Sequence, residues 1–70
     1  MIMMAVSYNR LWKLLIDKKM NKTKLRLSAG ISASTMAKMG KDEPVAMDIL
    51  MKICKTLGCD IGDIVEMVDD

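Results

Sequence analysis

Nine Lys or Arg side chains (Arg10, Lys13, Lys18, Lys19, Lys22, Lys24, Arg26, Lys38 and Lys41) fall between residues 8 and 41, where Asp17 is the single acid. The chemistry they offer is anion binding. Residues 42–70 reverse the sign, with Lys52 and Lys55 against Asp42, Glu43, Asp48, Asp60, Asp63, Glu66, Asp69 and Asp70. Segment charges of +8 and −6 thus hide inside a net +2. That asymmetry predicts one face for a polyanion such as DNA and another kept away from it.

Other chemistries lack their residues. The chain has no His, which removes the commonest general base and metal ligand. It carries no Gly-rich phosphate loop, nucleophile elbow or carboxylate cluster, so no enzymatic activity, cofactor or small-molecule substrate is expected. Cys54 and Cys59 stand five apart without a second pair or any His, and four zinc ligands cannot be assembled in one chain. Cys54 reads as a small core residue, and no metal is expected. The longest apolar run, Met1 to Val6, is too short for a signal sequence or a membrane span and has no basic segment before it. A cytoplasmic location with reduced thiols is the expectation.

Seventy residues form a single domain, 1–70, burying about 60 to 65% of the surface of the unfolded chain. With no Phe and only Tyr8 and Trp12 as aromatics, Leu, Ile, Val and nine Met must fill the interior. The spacing of apolar residues predicts an all-α chain of five helices. Ser7 caps a first helix whose apolar face is Tyr8, Leu11, Trp12 and Leu15 and which ends near Lys19. Asn21 caps a second, with Met20 and Leu25 as a hydrophobic staple. Ser32 caps a third, with Ile31 and Met36 as its staple. Gly30 ends the second helix by adopting a positive φ, and Gly40 ends the third by the same logic. Lys41, Asp42, Glu43 and Pro44 make a polar loop.

A fourth helix carries the stripe Ala46, Ile49, Leu50, Ile53, Cys54 and Leu57, with a poor cap at Ala46 and a stop at Gly58. A short fifth, Ile61 to about Met67, is capped by Asp60 with Asp63 at the N3 position. Ile2 to Val6 is the one stretch that reads as a short N-terminal extended segment. Met1 to Met4 and the final Asp69 and Asp70 are the expected disordered ends. The start of the second helix presents backbone N–H groups and the positive end of its dipole, so Asn21, Lys22 and Thr23 are candidate phosphate contacts. Lys41, just after the third helix, is another, and Lys24 and Arg10 are weaker ones.

Leu25, Ala29, Ile31, Met36 and Met39 around Gly30 supply the apolar positions of a helix-turn-helix spanning residues 21–40. With the phrases Ala29-Gly30-Ile31-Ser32 and Leu57-Gly58-Cys59-Asp60-Ile61, the chain resembles the Cro/CI-type, XRE-family helix-turn-helix domain, the lambda-repressor-like fold, over about residues 7 to 67. Arg26 departs from the resemblance at the position four before the turn glycine, where such domains carry Ala. Its aliphatic stem can lie along the gap with the guanidinium in solvent or on a phosphate.

The resemblance implies that the third helix enters the major groove of double-stranded DNA, with Ser32, Ala33, Ser34, Ala37 and Lys38 as base-reading positions. Lys38 can donate to guanine O6 or N7, Ser34 can meet several bases, and Ala33 can touch a thymine methyl. This is a sparse reading surface, so DNA shape is expected to contribute to specificity. It implies a sequence-specific transcriptional regulator, a small prokaryotic or phage repressor acting as a homodimer. Met47, Met51, Met67 and Val68 supply an apolar contact patch or extra core, and Met3 to Val6 an alternative strand pairing between copies. The competing expectation is a protein-interaction module, an antitoxin or co-regulator, on the same fold.

Overall fold

The computed structural model describes residues 4–69. In chain order these form β1 (Met4–Ser7), α1 (Asn9–Asp17), α2 (Lys22–Ala29), α3 (Ala33–Gly40), α4 (Met47–Leu57), a 3-10 turn (Ile61–Asp63) and β2 (Glu66–Asp69). Four helices are therefore present where the apolar spacing predicts five. The fifth is replaced by the 3-10 turn and a strand. Ile61, Ile64 and Val65 do have helical spacing, but seven residues including Gly62 are too few to sustain a helix. The segment instead alternates from half-buried Glu66 to exposed Met67, half-buried Val68 and exposed Asp69, the period of a strand.

Its partner is β1, antiparallel, with Ala5 opposite Val68 and Val6 opposite Met67. The extended N-terminal segment thus pairs within its own chain. Met4 and Asp69, expected as disordered ends, are paired across this ribbon. Met1, Ile2, Met3 and Asp70 lie outside the described residues.

Local signals set most of the helix ends. Asn21 Oδ1 accepts from the Lys24 N–H at 2.7 Å, and Ser32 Oγ accepts from the Thr35 N–H at 3.2 Å. Asp60 and Asp63 form the reciprocal box at the 3-10 turn, where the Asp60 N–H donates to Asp63 Oδ2 at 3.0 Å. Gly58 ends α4 with φ 66°, and Ala46 offers no side-chain cap at its start.

At two ends the local geometry differs from the expected one. Gly40 is the last residue of α3 in ordinary helical geometry, and the chain turns at Asp42, with φ 56°. Asp is among the few residues other than Gly that visit the left-handed region. Ser7 is the last strand residue; its Oγ accepts from the Asn9 N–H at 3.3 Å, while the cap position of α1 falls to Tyr8.

Asp42 completes that cap from a distance. Its Oδ1 accepts from the Tyr8 N–H at 3.1 Å, and the Tyr8 hydroxyl donates to the Glu43 carbonyl at 2.8 Å. The loop after α3 is thereby pinned to the start of α1, with the carboxylate near the positive end of the α1 dipole. Asp42→Ala is expected to cost about 1 to 2 kcal/mol, the range for losing a helix cap, read as a lower denaturation midpoint with unchanged m-value.

Burial pushes the Tyr8 hydroxyl above its ordinary value; a backbone hydrogen bond at Val45 opposes this and the Asp42 carboxylate adds to it. The folded state therefore holds the Tyr8 proton more tightly than the unfolded chain does. This contribution to stability is complete below about pH 10 and is lost as pH rises through the folded value. Tyr8→Phe should flatten that alkaline loss in denaturation midpoints, while costing about 1 kcal/mol at neutral pH through the lost hydrogen bond.

The core is drawn from every helix: Tyr8, Leu11 and Leu15 from the α1 end, Leu25 from α2, Ile31 from the turn, Met36 and Met39 from α3, Leu50, Ile53 and Leu57 from α4, and Ile64 beyond the 3-10 turn. Cys54 packs half-buried against it. The methionines divide. Met36 and Met39 fill the interior, whereas Met47, Met51 and Met67 stay about 60% exposed and so are not extra core.

Candidate functional site

The α2–α3 unit turns at Gly30, whose φ of 71° is left-handed. A Cβ built there meets no atom within 4 Å, so the requirement is one of backbone conformation and not of space. The Gly30 and Ile31 N–H groups both donate to the Arg26 carbonyl, the latter at 2.9 Å, closing the end of α2. Ile31 then enters the core and Ser32 begins α3. Arg26 is half-buried, and α2 and α3 still pack against each other, so its bulk is accommodated beside the turn.

On α3 the side chains divide by face. Met36 and Met39 point inward, and Ser32, Ala33, Ser34, Ala37 and Lys38 are all exposed. The Ser32 hydroxyl is already engaged: besides the cap it donates to Thr35 Oγ1 at 2.9 Å and lies 3.2 Å from Ser34 Oγ. Ser34 and Lys38 carry the outward polar chemistry of this helix, and Ala33 and Ala37 leave flat apolar space between them.

Asn21, Lys22, Thr23 and Lys41 are exposed as well. At the α2 start the Asn21 side chain takes the Lys24 N–H, leaving the first-turn N–H groups of Lys22 and Thr23 outside the helical ladder. Lys41 stands at the C-cap of α3, in the loop pinned to Tyr8 through its neighbour Asp42. Lys22 Nζ lies 3.7 Å from where a Gly40 Cβ would stand, so Lys22 and Lys41 gather at the C-terminal end of α3.

Arg10 belongs elsewhere. Its Nε lies 3.0 Å from Glu66 Oε2 and its Nη1 donates to the Gly62 carbonyl at 2.9 Å, tying α1 to the acidic C-terminal segment. Lys22 has a further neighbour that its sequence position does not reveal: Nζ sits 4.4 Å from the centroid of the Trp12 ring. Trp12, Asp42 and Glu66 are the structural partners missed in the sequence, each meeting its contact through the folded chain. No group of three or more His, Cys, Asp or Glu able to hold a metal occurs among the described residues, and no helix there is long and apolar enough to cross a membrane.

Comparison with known proteins points the same way as the geometry. The family profile described as the Cro/C1-type HTH DNA-binding domain matches residues 10–70. The chain is also similar to a crystal structure of the transcriptional regulator VanUg (form II), at 54% identity and a TM-score of 0.94, over 96% of this chain and 89% of that one. Among curated proteins none matches.

Proposed function

This chain belongs to the Cro/C1-type helix-turn-helix DNA-binding domains, and on that premise we propose that it is a sequence-specific regulator of transcription, a small prokaryotic or phage repressor that inserts α3 into the major groove. The observation that carries this reading is the outward face of α3, with Ser34 and Lys38 exposed and the cationic Lys22 and Lys41 beside the C-terminal end of the helix. Lys38 is assigned to guanine O6 or N7 and Ser34 to a neighbouring base edge, while Ser32, Ala33 and Ala37 set the approach and the apolar contact with thymine. Asn21, Lys22, Thr23 and Lys41 are assigned to backbone phosphates, where they set register without reading sequence. The similarity to VanUg, a transcriptional regulator, supports the regulatory role. Such a protein acts in the cytoplasm, where the DNA lies.

A homodimer completes the proposal. One helix with two polar reading residues has little discriminating power, and two copies on half-sites one helical turn apart double it. Exposed Met47 and Met51 on α4 and Met67 on β2 offer an apolar surface for the second copy. Selection of bound sequences from random duplex DNA tests both parts. The expected result is a consensus of two inverted half-sites with centres about 10 base pairs apart; enrichment of no consensus at all would remove sequence-specific reading.

The same exposed methionines favour a second reading, in which the fold serves as an interaction module, an antitoxin or co-regulator, and binds another protein through its C-terminal half. Gel shifts with mixed-sequence DNA at low salt separate the two, because a pure interaction module leaves the DNA unshifted.

A further inference from the structure

We propose that Trp12 is a positioning residue for the DNA contact of Lys22: the indole face holds the lysine ammonium at the edge of the α2–α3 unit before DNA arrives. The inference rests on the interface proposed above and concerns α1, which that interface does not otherwise include. Lys22 Nζ lies 4.4 Å from the Trp12 ring centroid. It also lies 3.7 Å from where a Gly40 Cβ would stand, so no side chain separates the ammonium from the last residue of α3. Lys22 therefore spans from the start of α2 to α1 and the end of α3.

The ring is placed by the fold and not by the lysine. Trp12 packs half-buried against the core, with its centroid 6.5 Å from that of buried Tyr8 and the planes 60° apart. Its attraction for the ammonium comes from the ring quadrupole and leaves N–H donors of Lys22 available to phosphate oxygens. A free lysine gives up many rotamers on gripping a phosphate, and one already held over a ring has fewer to lose.

The test measures DNA affinity against salt for wild type, Trp12→Leu, Lys22→Ala and the double variant, with melting temperatures to follow folding. Trp12→Leu should weaken binding about two- to fivefold per bound copy, the fold-change of an exposed cation–π contact, with the log–log salt slope kept. Lys22→Ala should lower the magnitude of that slope by about 0.9 per copy. The double variant should bind no more weakly than Lys22→Ala alone, since Trp12 acts only through the lysine. Trp12→Tyr and Trp12→Phe retain an aromatic face and should recover part of the loss, and Trp12→Met, which has no ring, takes the place of Trp12→Leu in the cycle if that variant unfolds.

Full additivity of the Trp12 and Lys22 losses, or aromatic variants as weak as leucine, overturns the inference and leaves the interface standing. Unchanged affinity and slope in Lys22→Ala overturns the assignment of Lys22 to phosphate itself.

Discussion

Ile53→Ala is expected to remove a large share of the stability of the fold. Ile53 is fully buried on α4, which packs against α2, so the missing atoms leave a cavity bounded by the helix that opens the DNA-facing unit. A buried Ile to Ala change costs about 2 to 5 kcal/mol, and a domain of this length has about 3.5 to 10 kcal/mol in total. Little redundancy exists in a core with no Phe and so few side chains fully closed to water. Met51→Ala, two residues away on the same helix but 61% exposed, should stay within about 0.5 kcal/mol of wild type. Chemical denaturation of the two variants checks the contrast; similar midpoints would mean that the α2–α4 packing does not hold the fold.

Raising salt from about 50 to about 200 mM should weaken DNA binding about 150-fold, taking Lys22 and Lys41 from each of two copies as four phosphate contacts and a slope of about −0.9 per contact. The effect is large because these contacts are exposed and so fully screened. Lys41→Ala should lower the slope by about 1.8 per dimer and weaken every DNA sequence alike. Arg10→Ala should leave the slope where it was, since that guanidinium is committed to Glu66 and the Gly62 carbonyl. Salt titrations by fluorescence anisotropy read all three, and a flat line for the wild type would contradict the electrostatic part of the interface.

What the sequence made legible was local chemistry. Asn21, Ser32 and Asp60 announce helix or turn starts because their short polar side chains reach N–H groups within three residues. Gly30 and Gly58 announce ends because only the absence of a Cβ makes the left-handed region easy. The helix-turn-helix is legible from these and from the apolar residues around Gly30, whereas the outward set of Ser34 and Lys38 is what the resemblance to the Cro/CI-type domain implies.

What was hidden joins residues far apart along the chain. The pairing of Val6 with Met67 converts a would-be helix into a strand, and nothing within either segment specifies the other. Asp42 reads as a polar loop residue, yet it caps α1 across 34 positions. α3 does end at Gly40, but the left-handed residue is Asp42, whose carboxylate reaches the distant Tyr8 N–H. Lys22 was visible as a charge, but not as one seated on an indole.

The proposed interface divides its labour between Lys38, assigned to a base, and Lys22 and Lys41, assigned to the backbone. The most direct measurement is the affinity of wild type and Lys38→Ala for the selected site and for each of its single-base-pair variants at one salt concentration. Lys38→Ala should lose about 1 to 3 kcal/mol on the selected site and lose its discrimination at one base pair per half-site, with every other preference intact. An equal loss on every sequence would make Lys38 a backbone contact and contradict α3 as the reading helix.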